Sequence, residues 1–119
     1  GVPGAGGAGP VTGLPRHDKG GASMKTFVIL RRSAWAGAPE LQSAAALSTK
    51  VGNEDMPDKV KWIRSYVLAE PDGRLGTVCI YQAVDEAAVR EHARCAKLAV
   101  DEIIPVAETV VVRPDPASA

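Results

Sequence analysis

Several scarcities in this sequence limit what the protein can be. It has two cysteines, Cys79 and Cys95, in 119 residues. That is too few for a disulfide scaffold, and it points to a reducing cytosol. Neither charge is in excess, since 14 basic side chains face 14 acidic ones. A nucleic-acid binder held by phosphate neutralisation needs a basic surplus or a basic stripe, so that class is excluded. No apolar run approaches the ~20 residues that span a bilayer. Residues 1–23 also lack the apolar centre of a secretory signal. Only Phe27, Trp35, Trp62, Tyr66 and Tyr81 are aromatic, so Ala and Val must build most of the core.

Glycine is concentrated in one place. Residues 1–23 hold eight of the twelve glycines and three of the nine prolines. Such a stretch buries too little apolar surface to offset its conformational entropy, and it is expected to be a flexible leader. Ala22-Ser23 ahead of Met24, with no Met at position 1, reads as an expression tag and cloning scar; a native Gly-rich arm is the alternative. His17 lies in this leader and carries no functional weight. The folded domain is expected over 24–113, with a disordered tail over 114–119.

Within that domain the apolar period alternates between two and about 3.6. Lys25 to Arg32 reads as a strand, with Phe27 and Ile29 on one side and Val28 and Leu30 on the other. Pro39 suits a first helical turn, and Leu41, Ala44, Ala45, Ser48 and Val51 follow at helical spacing until Gly52-Asn53, an expected stop. Lys59 to Glu70 and Leu75 to Ala83 read as a hairpin around Pro71-Asp72-Gly73. Asp85 caps a second helix running to about Lys97. Ile103-Ile104 and Thr109 to Val112 are expected to supply one or two short last strands around Pro105. The order β-α-β-β-α-β predicts an α+β, ferredoxin-like fold with two helices on one face of an antiparallel sheet.

Strict alternation along the hairpin assigns its two faces. Ile63, Ser65, Val67 and Ala69 with Val78 and Ile80 are expected beneath the Ala-rich helices. Trp62, Arg64, Tyr66, Cys79 and Tyr81 are expected together on the opposite face. An aromatic patch of that size is rarely left in water. A second copy packed sheet on sheet would cover it, so a homodimer is expected.

Three segments carry a resemblance: Trp62-Ile63-Arg64-Ser65-Tyr66-Val67, Cys79-Ile80-Tyr81-Gln82-Ala83 and Asp85-Glu86-Ala87-Ala88-Val89-Arg90-Glu91-His92-Ala93. Over about Met24 to Pro114 the chain resembles the small bacterial DUF4242 family. The resemblance implies a ferredoxin-like, dimeric α+β barrel that binds or responds to nickel. The chain departs from the family pattern in a longer hairpin turn and in Lys97-Leu98, where a Gly is expected after the second helix.

Candidate chemistry is sparse. His92 is the one imidazole of the expected domain, and Cys95 follows at i+3 on the same helical stripe, where both can address nickel or zinc. Glu91, Glu86 and Asp85 can add oxygen ligands, but one His and one Cys fall short of the three or four ligands of a tight site. The bland reading of His92 is a half-buried helix residue bonded to a backbone carbonyl. Trp62, Arg64, Tyr66, Cys79 and Tyr81 form either a pocket for a flat organic ligand or simply the dimer face. No assembled catalytic group, phosphate loop or Cys-x-x-Cys motif is present, and no organic cofactor is expected. Three functions follow: a cytosolic dimer that binds nickel or a related divalent ion; a small-molecule-binding or cofactor-free enzymatic barrel; and a structural or regulatory interaction module.

Overall fold

The computed structural model describes residues 23–116. The expected leader, apart from Ser23, and the last three residues of the expected tail lie outside the described residues. The elements are β1 (Lys25–Trp35), α1 (Ala38–Lys50), β2 (Val60–Ala69), β3 (Leu75–Ala83), α2 (Glu86–Cys95) and β4 (Glu102–Pro105). The strands form one antiparallel sheet in the order β2-β3-β1-β4. That order, with both helices contributing to one core cluster against a single sheet face, is the ferredoxin-like arrangement expected from the periodicities. Among the described residues no helix is long and apolar enough to cross a membrane.

The core lies where the sheet meets the helices. Phe27 and Ile29 of β1 and Cys79, Tyr81 and Ala83 of β3 pack against Val51, Ala88, Val89 and Ala96. Small residues on α2 let its backbone approach the sheet closely, so few aromatics are needed to fill the space. Its ends are set by local chemistry. The Asp85 side chain accepts a hydrogen bond from the Ala88 N–H at 2.8 Å. At the other end Leu98 N–H bonds Ala93 O and Lys97 N–H bonds Arg94 O, with Lys97 at φ 58°. This is a Schellman closure with lysine in the left-handed position usually held by glycine.

The first helix departs from expectation. Gly52 does not stop it; α1 continues through a π turn over Val51–Asp55, closed by Met56 N–H to Val51 O. A Cβ on Gly52 would lie 3.6 Å from His92 Nε2, an ordinary van der Waals contact, so nothing there requires a glycine. The second expected terminal strand, Thr109 to Val112, is absent: Val110, Val111 and Val112 are 74–80% exposed and unpaired in the sheet.

Two bulges shape the sheet. In β1 the register jumps between Arg31, opposite Thr77, and Trp35, opposite Leu75. Ser33 inside this bulge sits at φ 48°, its N–H bonded to Glu70 Oε2 at 2.9 Å. In β2 the register jumps between Trp62, opposite Tyr81, and Arg64, opposite Ile80, leaving Ile63 as the extra residue. An extra residue reverses the alternation beyond it. Trp62, Ser65 and Val67 therefore share the helix-side face with Tyr81, Cys79 and Thr77. Arg64 and Tyr66 share the other face with Ile80 and Val78.

Candidate functional site

The expected grouping of Trp62, Arg64, Tyr66, Cys79 and Tyr81 is split. The faces of β3 are the reverse of those expected, with Cys79 and Tyr81 toward the helices and Val78 and Ile80 on the open side, and the β2 bulge separates Trp62 from Arg64 and Tyr66. Trp62, Cys79 and Tyr81 lie beneath the helices, and Arg64 and Tyr66 lie on the open face. The open face is also lined by Val28 and Leu30 of β1, Val78 and Ile80 of β3, and Ile104 of β4. There Tyr66 O–H donates to Asp115 Oδ2 at 2.6 Å, and Arg64 Nε lies 3.2 Å from the same oxygen. Tyr66 is 45% exposed in the single chain.

Under the helices a polar chain links the elements. Tyr81 O–H and Ser48 Oγ are 3.0 Å apart, and His92 Nε2–H donates to the Ser48 carbonyl at 3.1 Å. The His92 ring meets Tyr81 edge-on at 5.2 Å. Burial pushes the Tyr81 phenol pKa up and the His92 pKa down, so both are held neutral. With Nε2 carrying the proton, His92 Nδ1 is a buried lone pair without a partner among the described residues.

The expected metal set does not close. His92 is buried, whereas Glu91 is exposed and Cys95 half-buried on the outer side of α2. Cys95 Sγ lies 3.5 Å from Glu91 Oε2. Burial, then the Glu91 contact, push the Cys95 thiol pKa up. Arg94 holds the Glu91 carboxyl below its usual range. Of the other candidates, Asp85 is spent on the cap and Glu86 on Arg90. Among the described residues no three His, Cys, Asp or Glu side chains converge to hold a metal ion. The residues present therefore do not fit a resident metal within one chain.

What the sheet and α1 do enclose is a cavity of about 310 Å³, reaching from Trp35 and Leu41 to Trp62, Val67 and Tyr81. Its walls are mostly apolar, and Arg31 is among them. Arg31 is 1% exposed. Sequence reading passed over this residue. The signal was present, because Arg31 continues the Phe27, Ile29 phase of β1 and so places a charge in a core-facing position. Trp35 and Thr77 were also missed as site residues, the first because the expected strand ends at Arg32, although Trp35 keeps the Phe27, Ile29, Arg31 phase.

The family model of nickel-responsive SCO4226-like proteins matches residues 27–106. No curated protein matches the chain. The crystal structure of SCO4226 from Streptomyces coelicolor A3(2) is similar, with a TM-score of 0.56 and 19% identity, covering 71% of this chain and 99% of that one. At that identity the structural likeness establishes the fold. The family match supports the nickel-responsive part of the resemblance, under a family name other than DUF4242. Because the match runs from β1 through β4, the chain belongs to the family of nickel-responsive SCO4226-like proteins.

Proposed function

We propose that this chain is a small cytoplasmic homodimer that takes nickel, or a related divalent ion, as cargo in metal sequestration or homeostasis. The observation that supports this reading is the family match, which spans the whole of α2 and with it Glu91, His92 and Cys95. On this reading the ion sits on the outer side of α2, held by the Cys95 sulfur and the Glu91 carboxylate, with water filling the remaining positions. Two protein ligands make a shallow, exchangeable site, which suits sensing or buffering better than permanent storage. Spacing alone ranks His92 first among the ligands. His92 Nδ1 keeps its lone pair, but the ring is 1% exposed, so on this reading His92 acts as a support that fixes α2 to α1 through Ser48. Because the Cys95 thiol must lose its proton to bind, nickel affinity rises with pH.

The second copy belongs on the open face. Val28, Leu30, Val78 and Ile80 are only partly covered there, beside Tyr66 and Ile104 at 45% and 39% exposure. Packing two such faces together removes a contiguous apolar surface from water.

Calorimetric titration of the full chain with nickel, zinc and magnesium tests the reading. Nickel and zinc are expected to bind and magnesium to stay silent. Cys95→Ser and Glu91→Gln should each weaken nickel binding, and His92→Ala should leave it. Loss of binding in a folded His92→Ala protein would move the ion to the buried imidazole. Nickel held no more tightly than magnesium would overturn the proposal.

A further inference from the structure

We infer that the cavity between α1 and the sheet binds a small organic carboxylate, with Arg31 as its anchor. This inference is independent of the nickel reading, since it uses none of Glu91, His92 or Cys95.

Arg31 is the unusual group. Its side chain is buried, and none of the ion pairs among the described residues includes it. NH1 makes one long bond, 3.4 Å to the Ala99 carbonyl, and NH2 has no partner among the described residues. The guanidinium carbon lies 5.9 Å from the centroid of the Tyr81 ring, a partial compensation. Removing a cation from water without a counter-anion is costly. The neighbouring Arg32, by contrast, is fully engaged with Glu70 through two-pronged contacts of 2.9 Å. The chain thus pairs the exposed arginine and leaves the buried one with a free donor edge beside an open volume.

The rest of the cavity defines the ligand. Its other polar side chains are uncharged: Ser48 and Tyr81, 3.0 Å apart, Thr77, which accepts from Cys79 at 3.3 Å, Ser65, which accepts from Trp62 Nε1 at 2.8 Å, and Gln42. Arg31 is therefore the one charged donor facing the space, which suits a single negative charge. Inorganic phosphate, with more than one negative charge at neutral pH, would meet a single cation there. A carboxylate matches the planar guanidinium fork. Trp35, Leu41, Ala45, Trp62 and Val67 then offer apolar walls for the remainder of the molecule. A volume of about 310 Å³ is at the small end for ligand pockets, so one ring or a short chain fits and a dinucleotide does not. Trp62 and Val67, 36% and 53% exposed, form the way in along the β2 edge. The β2 bulge borders this cavity and turns Ser65 and Val67 toward it, and bulges are enriched beside working sites.

The test is titration of the full chain, in metal-free buffer, with benzoate, phenylacetate and hexanoate, read by calorimetry and by thermal shift. Benzamide and inorganic phosphate serve as controls. At least one carboxylate should bind and raise the melting temperature, and the controls should not. Arg31→Met should weaken binding by roughly tenfold or more, the loss of one buried charge contact. Since that position is in the interior, Ala45→Phe provides a second variant that fills the space from the helix wall and leaves Arg31 intact. It should abolish binding. Equal binding of benzamide and benzoate, binding of phosphate alone, unchanged binding in Ala45→Phe, or no carboxylate binding at millimolar concentration would each overturn the inference.

Discussion

Trp62 stacks on Tyr81 across the hairpin, with ring planes 10° apart and centroids 6.1 Å apart, one position before the β2 register slips. The slip is caused by Ile63 alone. Removing Ile63 would let Arg64 follow Trp62 in regular alternation without moving any later residue to the wrong face. Deletion of Ile63 should therefore leave a folded protein with a modest loss in melting temperature. Deletion of Ser65, which pairs regularly with Cys79, should unfold it or reduce its stability far more. Thermal unfolding of the two deletions side by side checks this, and equal damage would argue against the bulge assignment.

Lys97 closes α2 from a left-handed conformation, which costs an L-residue about 1 kcal/mol or more relative to glycine. Lys97→Gly should accordingly stabilise the protein by about 0.5–1 kcal/mol after glycine's greater unfolded-state freedom is allowed for. Lys97→Ala should not, because it removes the side chain and keeps the strain. Urea unfolding of the two variants separates backbone from side-chain effects.

Glu70 is the most enclosed carboxylate at the hairpin end, with its side chain 3% exposed. Hydrogen bonds from Arg32, then from the Ser33 amide, hold its pKa below the usual carboxylate range. A depressed native pKa contributes stability that is complete above the unfolded pKa. That stability is lost as pH falls through the native value. Glu70→Gln should lower the melting temperature at neutral pH and narrow the gap to the parent as the solution is acidified. A constant gap down to low pH would mean that the ion pair contributes nothing through its charge.

Tyr66 tests the assembly. In Tyr66→Asp a second carboxylate would stand beside Asp115, with the one Arg64 to offset both, in the middle of a contact that is otherwise apolar. Sedimentation should show the parent at twice the chain mass and the variant at the chain mass. A monomeric parent at micromolar concentration would dispose of the dimer.

Features carried by a single local side chain were readable in advance. Asp85 caps α2 as its position suggests, and Gly73 at φ 84° with Arg74 N–H bonded to Asp72 Oδ1 forms the anticipated turn. Element order followed from the change of apolar period. The faces of β2 did not, because Ile63 looks like any other strand residue until its partner strand is in place. Gly52-Asn53 does not end the helix because the backbone continues through a π turn over Val51–Asp55, which no side chain in the sequence announces. The metal set failed for lack of convergence, since i, i+3 spacing puts His92 and Cys95 on neighbouring parts of a helix without aiming them at one point. Arg31 was legible in phase but had no visible purpose until the cavity beside it was seen.

Both tryptophans of the chain, Trp35 and Trp62, line the same cavity, on the helix side of the sheet. The protein's intrinsic ultraviolet emission therefore reports from one place. It registers what enters or reshapes that cavity. Assembly through the face carrying Tyr66 and Ile104, as proposed, would leave both indoles in their original surroundings and pass unseen by the same light.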